Sequence, residues 1–293
     1  MTRRFKIVDV IYIIMMILPL VSGIVLNILT KPESDGIAIS GARIFFTIPM
    51  PIQDFPITES QINSLLVLIT IFFLCLYLTH GLSERIKLKR QHFAEMIVEK
   101  ADGLILENMG EFFKGFSPFI IAIMALSAVS SLISLLGLYP PTSDINIVGG
   151  WAILVFILIT YYKLKCGLIS YLKGFTQPVA LLAPINFISE FATPVSMAFR
   201  HYGNILSGTV ISVLLATALG GLSSMVLGSM PGILADIPLF QIGIPAVLSI
   251  YFDVFSGCLQ AFIFAMLTML NISSGFSLDE YKERKKRKAL KQK

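Results

Sequence analysis

The sequence predicts an all-α polytopic membrane protein with about six transmembrane helices, the last two long and strongly tilted. Three observations predict it. Hydrophobic residues make up 55% of the 293-residue chain and charged residues only 14%, with a mean hydropathy of +0.81. A bilayer core about 30 Å thick takes roughly 20 apolar residues as a helix, and six such runs occur, at 8–30, 63–80, 117–139, 146–166, 188–223 and 243–272. The last two exceed the length of a perpendicular span, so they must tilt or run partly along the interface. The runs are continuously apolar without period-two alternation, which excludes a transmembrane barrel. The same composition excludes intrinsic disorder, a nucleic-acid-binding domain and an ordinary soluble enzyme. Cys75, Cys166 and Cys258 lack metal-ligand spacing and make no disulfide framework.

The first run follows Arg3, Arg4 and Lys6 and carries the small residues Ser22 and Gly23, as a signal peptide would. Its apolar stretch continues to Leu29, long for such a signal, which favours an uncleaved anchor. Residues 31–61, with Pro32, Pro49, Pro51 and Pro56, predict an external segment without long helices, packed along the membrane surface. Between 82 and 114 the charges are mixed and apolar residues recur at Ile86, Phe93, Ile97, Leu104 and Ile105, the pattern of an amphipathic helix on the cytoplasmic surface. No transporter-type repeat, GxxxxGK[ST] or GxGxxG occurs, so ATP or dinucleotide chemistry within this chain is disfavoured and no cofactor is expected. The expected divisions are an N-terminal anchor and external segment (1–62), a membrane domain (63–278) and a basic cytoplasmic tail (279–293).

Basic residues stay on the cytoplasmic side of a membrane. With the N-terminus inside, 20 of the 23 Lys and Arg residues fall inside and only Lys31 and Arg43 outside. The census predicts an even number of spans with both ends cytoplasmic. The whole net charge of +5 sits in 278–293, a topology signal and not a nucleic-acid site.

The remaining basic residue, Arg200, lies inside the fifth run. Its charge at mid-bilayer costs about 2.5–3.5 kcal/mol on insertion scales, so it is a functional candidate by default; the alternative is an interfacial arginine snorkelling to water. At 100° per residue, Ser196, Arg200, Asn204 and Ser207 share one face, and Gly203 and Gly208 let another helix approach. In the last run Asp253 and Gln260 are seven residues apart with Gly257 between them, a stripe that can hold water and pass an ion. Asp253 alone could equally be a buried protonated acid or a partner of Arg200. His201 is either a relay member or a packing histidine. Glu190 lies near the cytoplasmic start of its helix, where a carboxylate can favour the N-terminal dipole.

The stretch P-V-S-M-A-F-R-H-Y-G-N-I-L-S-G from Pro194 to Gly208 resembles the signature of subunit a of F-type ATP synthases. Further matches are L-Q-A-F-I-F-A-M-L-T from Leu259, G-L-Y-P-P-T-S-D-I-N from Gly137, and Ile188-Ser-Glu190, in order across about 63–272. The resemblance implies a non-catalytic stator subunit that carries ions, protons in the main reading, through two half-channels to and from a ring of small carboxylate-bearing c subunits. It also implies that Arg200 faces that carboxylate, with Asn204 and Gln260 as polar neighbours, and that subunit b, the remaining synthase subunits and membrane lipid are partners.

Two departures affect the relay. Thr209 stands where many members carry an acid, and Asp253 where they carry His or Glu; Ser134 also stands where Asn is common. Nine residues separate Thr209 from Arg200, so Thr209 faces away from the ring and toward the final helix. The competing readings are a sodium-translocating version of the same subunit, a stand-alone transporter or channel, and an intramembrane enzyme. The last is disfavoured by the lack of HExxH, GxSxG or paired membrane-depth aspartates.

Overall fold

In a computed structural model, the structure describes residues 3–30, 41–51, 53–82, 89–176, 179–227, 240, 243–244, 247–248 and 250–291. Among the described residues, six helices are long and apolar enough to cross a membrane: Ile7–Thr30, Glu59–Thr79, Glu111–Leu136, Ile145–Cys166, Ala183–Val226 and Ile250–Ser274. They coincide with the six apolar runs, each boundary moving by a few residues. The expected start of the sixth span near Gly243 falls largely outside the described residues.

In chain order the elements are α1 (Arg3–Thr30), β1 (Ile44–Ile48), β2 (Phe55–Thr58), α2 (Glu59–Thr79), α3 (Lys89–Met109), α4 (Ser117–Leu132), α5 (Ile145–Cys166), α6 (Leu168–Phe175), α7 (Ala183–Leu227), α8 (Gly257–Ser274) and α9 (Leu278–Lys291). A tight 3₁₀ turn precedes α4 at Glu111–Phe116, another follows it at Ile133–Leu136, and a π-helical segment, Ile250–Ser256, leads into α8. At 1.5 Å per residue the 45-residue α7 is about 68 Å long, more than twice the apolar core of a bilayer. It can stay within that layer only by inclining steeply.

The chain forms two compact units, each assembled from three stretches: Met1–Gly81, Ala125–Asp144 and His201–Ala261 in the first, and Leu82–Met124, Ile145–Arg200 and Phe262–Lys293 in the second. Helices α4, α7 and α8 each give part of their length to either unit.

In the first unit, α1 packs on α2 through Gly23, where a Cβ would stand 2.8 Å from a Leu66 methyl. Leu20 and Ile24 of α1 close over buried Val67, Ile133 and Leu138. Strands β1 and β2 pair antiparallel, and β2 runs straight into α2. The sequence predicts no long helix over 31–61, and among the described residues of that stretch before α2 there is none; the β-branched and aromatic run Ile44-Phe-Phe-Thr-Ile48 explains why strands form instead. Gln61 accepts a hydrogen bond from the Thr58 N–H at 3.3 Å, half of a capping box that starts α2. Gly137, at φ +74, ends the turn after α4 in the left-handed region that a side chain resists.

The second unit has the larger core, with Ile105, Met109, Phe113, Ile120, Val155, Ile159, Phe264, Met269 and Ile272 all buried. Here α3 is the expected amphipathic helix, burying Ala101, Ile105 and Met109 at a four-residue spacing. Phe93, expected on its apolar face, is instead half exposed. The basic tail is itself helical, as α9. Its Arg284 donates from Nη1 to the carbonyls of Leu164 and Lys165 at 2.7 and 2.9 Å, placing a cation on the exposed carbonyl end of α5.

Candidate functional site

The first unit encloses an open cavity of about 690 Å³ between α1, the start of α2, the turn after α4, α7 and the π segment. Its walls bring Thr209 and Asp253 together, with Gly208, Ser212, Ser134, Tyr139, Asn27, Arg43 and Glu59. Thr209 therefore faces Asp253's cavity, as its half-turn offset from Arg200 requires. Gly208 brings the two walls close, because a Cβ there would lie 2.9 Å from the Phe252 ring. Gly203 makes no such approach among the described residues, where nothing stands within 4 Å of the position its Cβ would take.

Asp253 lies within the π segment. A π turn bonds i to i+5 and such turns concentrate at functional sites. The expected stripe of Asp253, Gly257 and Gln260 assumed a regular 100° step, which this segment breaks. Gly257 packs instead on α4, a Cβ at that position falling 2.8 Å from the Ser131 Cβ. Gln260 is half-buried on the final helix.

Arg43 fastens one wall of this cavity. Its Nε donates to Glu59 Oε2 at 2.7 Å and Nη2 to Oε1 at 3.0 Å, while Nη1 reaches the Thr30 carbonyl at 3.0 Å and Nη2 also bonds the Asn27 side chain. Asn27 in turn donates to the Gly137 carbonyl at 2.7 Å. The hydrogen bond that Arg43 donates to Glu59 holds the Arg43 pKa above its ordinary value, with burial opposing it. Beside it, burial pushes the Tyr139 phenol above its usual range, and the Asp144 charge adds to the shift. Asp144 accepts from the Ser60 hydroxyl, and Asn63 donates to the Tyr139 carbonyl at 2.8 Å, so the turn after α4 is pinned to α2.

His201 is fully buried, with Nε2 at 3.2 Å from the Ser127 hydroxyl of α4. Asn204 donates to Ser256 Oγ at 2.6 Å and so ties α7 to the π segment. Behind these lies a strip the sequence reading missed: Ser127, Ser130 and Ser131 are buried on α4, and Ser134 lines the cavity. Ser131 also approaches Thr142 Oγ1 at 3.3 Å. Their spacing of i, i+3, i+4 and i+7 in an apolar helix is one helical face, and that periodicity was the available signal.

In the second unit, Lys163 Nζ donates to both oxygens of Glu190 at 2.7 and 2.6 Å. The pair lies in a narrow pocket of about 160 Å³ with Asn186, Ser189, Thr193, Asn271 and Ser274. Since α7 starts at Ala183, Glu190 is two turns inside it, beyond the reach of the helix dipole. The expected dipole role is therefore replaced by an ion pair. Lys163 had no signal beyond being one basic residue in the last turn of a span.

Arg200 ends this unit's share of α7, and it is exposed, as is Ser196. Among the described residues, no salt bridge joins it to a carboxylate.

The family profile described as ATP synthase A chain matches residues 62–273. The chain belongs to that family. It is similar to the sodium ion specific ATP synthase subunit a of Propionigenium modestum, at 27% identity over 84% of this chain and 88% of the relative. It is also similar to the ATP synthase subunit a of Anoxybacillus flavithermus, at 30% over 77% and 95%, and to that of Priestia megaterium, at 31% over 76% and 94%. The chain is accordingly a multi-pass protein of a bacterial plasma membrane and an ion-translocating stator subunit of the F-type ATP synthase.

Proposed function

We propose that Arg200 faces a carboxylate carried by a separate rotating ring of small c subunits, and that ions reach and leave that carboxylate through two half-channels. The observation that carries this reading is the exposure of Arg200 on the surface of an apolar helix. A permanent charge turned outward at membrane depth is costly without an anionic partner, and a second chain must bring that partner. A fixed cation in a low dielectric favours the ionised carboxylate and so releases its ion. The same charge blocks direct leakage between the two half-channels.

In this proposal the cavity containing Asp253 and Thr209 is the inlet from outside, with Asp253 as its titrating group. The α4 serines and His201 continue it as a hydroxyl-and-water relay, and Asn204 and Gln260 are polar neighbours of the ring contact. Glu190 belongs to the path on the cytoplasmic side, and Ser196 to the ring-facing surface. Both chain ends are cytoplasmic, ATP chemistry lies on other subunits, and subunit b and lipid cover further apolar faces. Protons are the main reading. A sodium version is the second, favoured by the sodium-specific relative; dependence of ATP synthesis on Na⁺ at constant pH separates them.

Ser207, exposed on the Arg200 face, offers the test. In a cysteine-free background, Ser207→Cys should cross-link to a small hairpin protein, while Ile11→Cys on α1 should not. Assembled complex without the Ser207→Cys cross-link would overturn the assignment.

A further inference from the structure

We propose that Lys163 is a tethered counter-cation of the cytoplasmic half-path, occupying Glu190 whenever a transported cation does not. The inference rests on the reading of Glu190 as part of that path and adds the group that regulates it.

The pair is built as a site and not as a surface contact. Lys163 Nζ meets both Glu190 oxygens at 2.7 and 2.6 Å, and the two side chains keep only 23% and 11% of their exposure. The lysine stem is threaded over Gly275, where a Cβ would stand 2.7 Å from the Lys163 Cε, so a larger residue there would push the ammonium away. Around the pair, Asn186, Thr193, Asn271 and Ser274 line the pocket with neutral oxygens and amides that can ligate a cation or hold water. An adjoining pocket of about 360 Å³ adds Tyr171, Cys166 and Glu280, which among the described residues are the other titratable groups facing this site from α6, α5 and α9.

An ammonium is a compact point charge on a flexible stem. It can leave a carboxylate when a mobile cation arrives and return when that cation departs. The effect is competition: a cation from the cytoplasm must displace Lys163, and Lys163 expels the cation that would otherwise stay bound. No covalent step is involved, and charge is conserved because one cation replaces another. A merely structural salt bridge would instead support both directions of transport equally.

The experiment uses the assembled synthase in inverted membrane vesicles, whose outward surface is the cytoplasmic one. H⁺ and Na⁺ in the medium are varied separately during ATP-driven pumping, and the luminal ion is varied during ATP synthesis. Lys163→Met should lower the apparent KM for the medium cation about threefold or more. Lys163→Arg, whose planar fork grips a carboxylate with two parallel bonds, should raise it. The luminal KM should stay unchanged in both. If Lys163→Met assembles and neither KM moves, or both directions fall in proportion, the proposal is overturned. If Lys163→Met does not assemble, Lys163→Arg decides alone: a raised medium KM supports the proposal and an unchanged one overturns it. Arg200→Ala measured in parallel tests the underlying reading, since undiminished transport in that variant would remove the path itself and not the role of Lys163 within it.

Discussion

The cavity of the first unit and the pocket of the second are both polar, yet they hold their carboxylates in opposite ways. Asp253 lines a space of about 690 Å³, with room for several waters. Glu190 sits in about 160 Å³ with an ammonium on both its oxygens. A carboxylate lining an open cavity can exchange a proton with water there, whereas one held on both oxygens by an ammonium changes state only when that counter-ion moves. The first unit does hold an ion pair, Arg43 with Glu59, but there the guanidinium also bonds Thr30 and Asn27 and is fixed in place. The fixed arginine marks a scaffold in one region, and under the role proposed for Lys163 the lysine of the other region acts as a switch.

The sharpest way to break this comparison is to remove the charge that the proposed ion path requires of both regions. Arg200→Ala should lower ion-driven ATP synthesis by roughly a thousandfold, the upper range for loss of a preorganised charge, while the complex still assembles. Synthesis at the parental rate would refute its role. Next, Asp253→Asn should slow ion entry about a hundredfold at every pH, as for loss of a proton-transfer group, and Asp253→Glu or Asp253→His should keep part of the rate. Measured with an imposed gradient of controlled direction, a rate equal to the parent would make Asp253 a structural acid. Gln260→Leu removes a dipole and no charge, so its synthesis rate should fall only about fivefold, the equivalent of one ordinary hydrogen bond.

The hairpin latch tests the scaffold side. Arg43→Gln leaves the buried Glu59 carboxylate without its cation and should destabilise the first unit by about 1–3 kcal/mol, read as a lower Tm of the detergent-solubilised complex. An unchanged Tm would show that the latch contributes nothing. The smallest effect concerns Tyr139, whose folded pKa is raised by burial. Its neutral form contributes stability that is present below its unfolded value of about 10 and is lost as pH rises through the folded value. Tyr139→Phe should flatten that alkaline decline in the melting profile; an identical slope would mean the decline has another origin.

The six spans were legible because apolar runs of membrane length have few other uses, and Arg200 because a charge inside one has none that is cheap. What stayed hidden depended on partners distant in sequence. Nothing in the order of residues joins Lys163 to Glu190 or Arg43 to Asn27, since the helices and the hairpin must form before those side chains meet. The serine strip on α4 was visible as a period but was hidden by the apolar residues around it. The hairpin escaped because prolines signal the absence of helix more clearly than the presence of strands. Gly203 and Gly208 look alike in sequence, and only the placement of Phe252 tells them apart.

The π segment at Ile250–Ser256 bears on how this chain is matched to its relatives. A π turn takes one residue more than an α turn to close, so the helix reaching Gln260 carries an extra step that a regular helix would not. Two relatives with the same wall of side chains can then differ by one residue in length between that wall and the rest of the helix. A gap placed a single position away would set Asp253 opposite a different neighbour, although neither cavity had changed. Deleting one residue from 254–256 would close the turn and change the angular offset between Asp253 and Gln260, so the register of this short stretch, and not only its composition, carries the site.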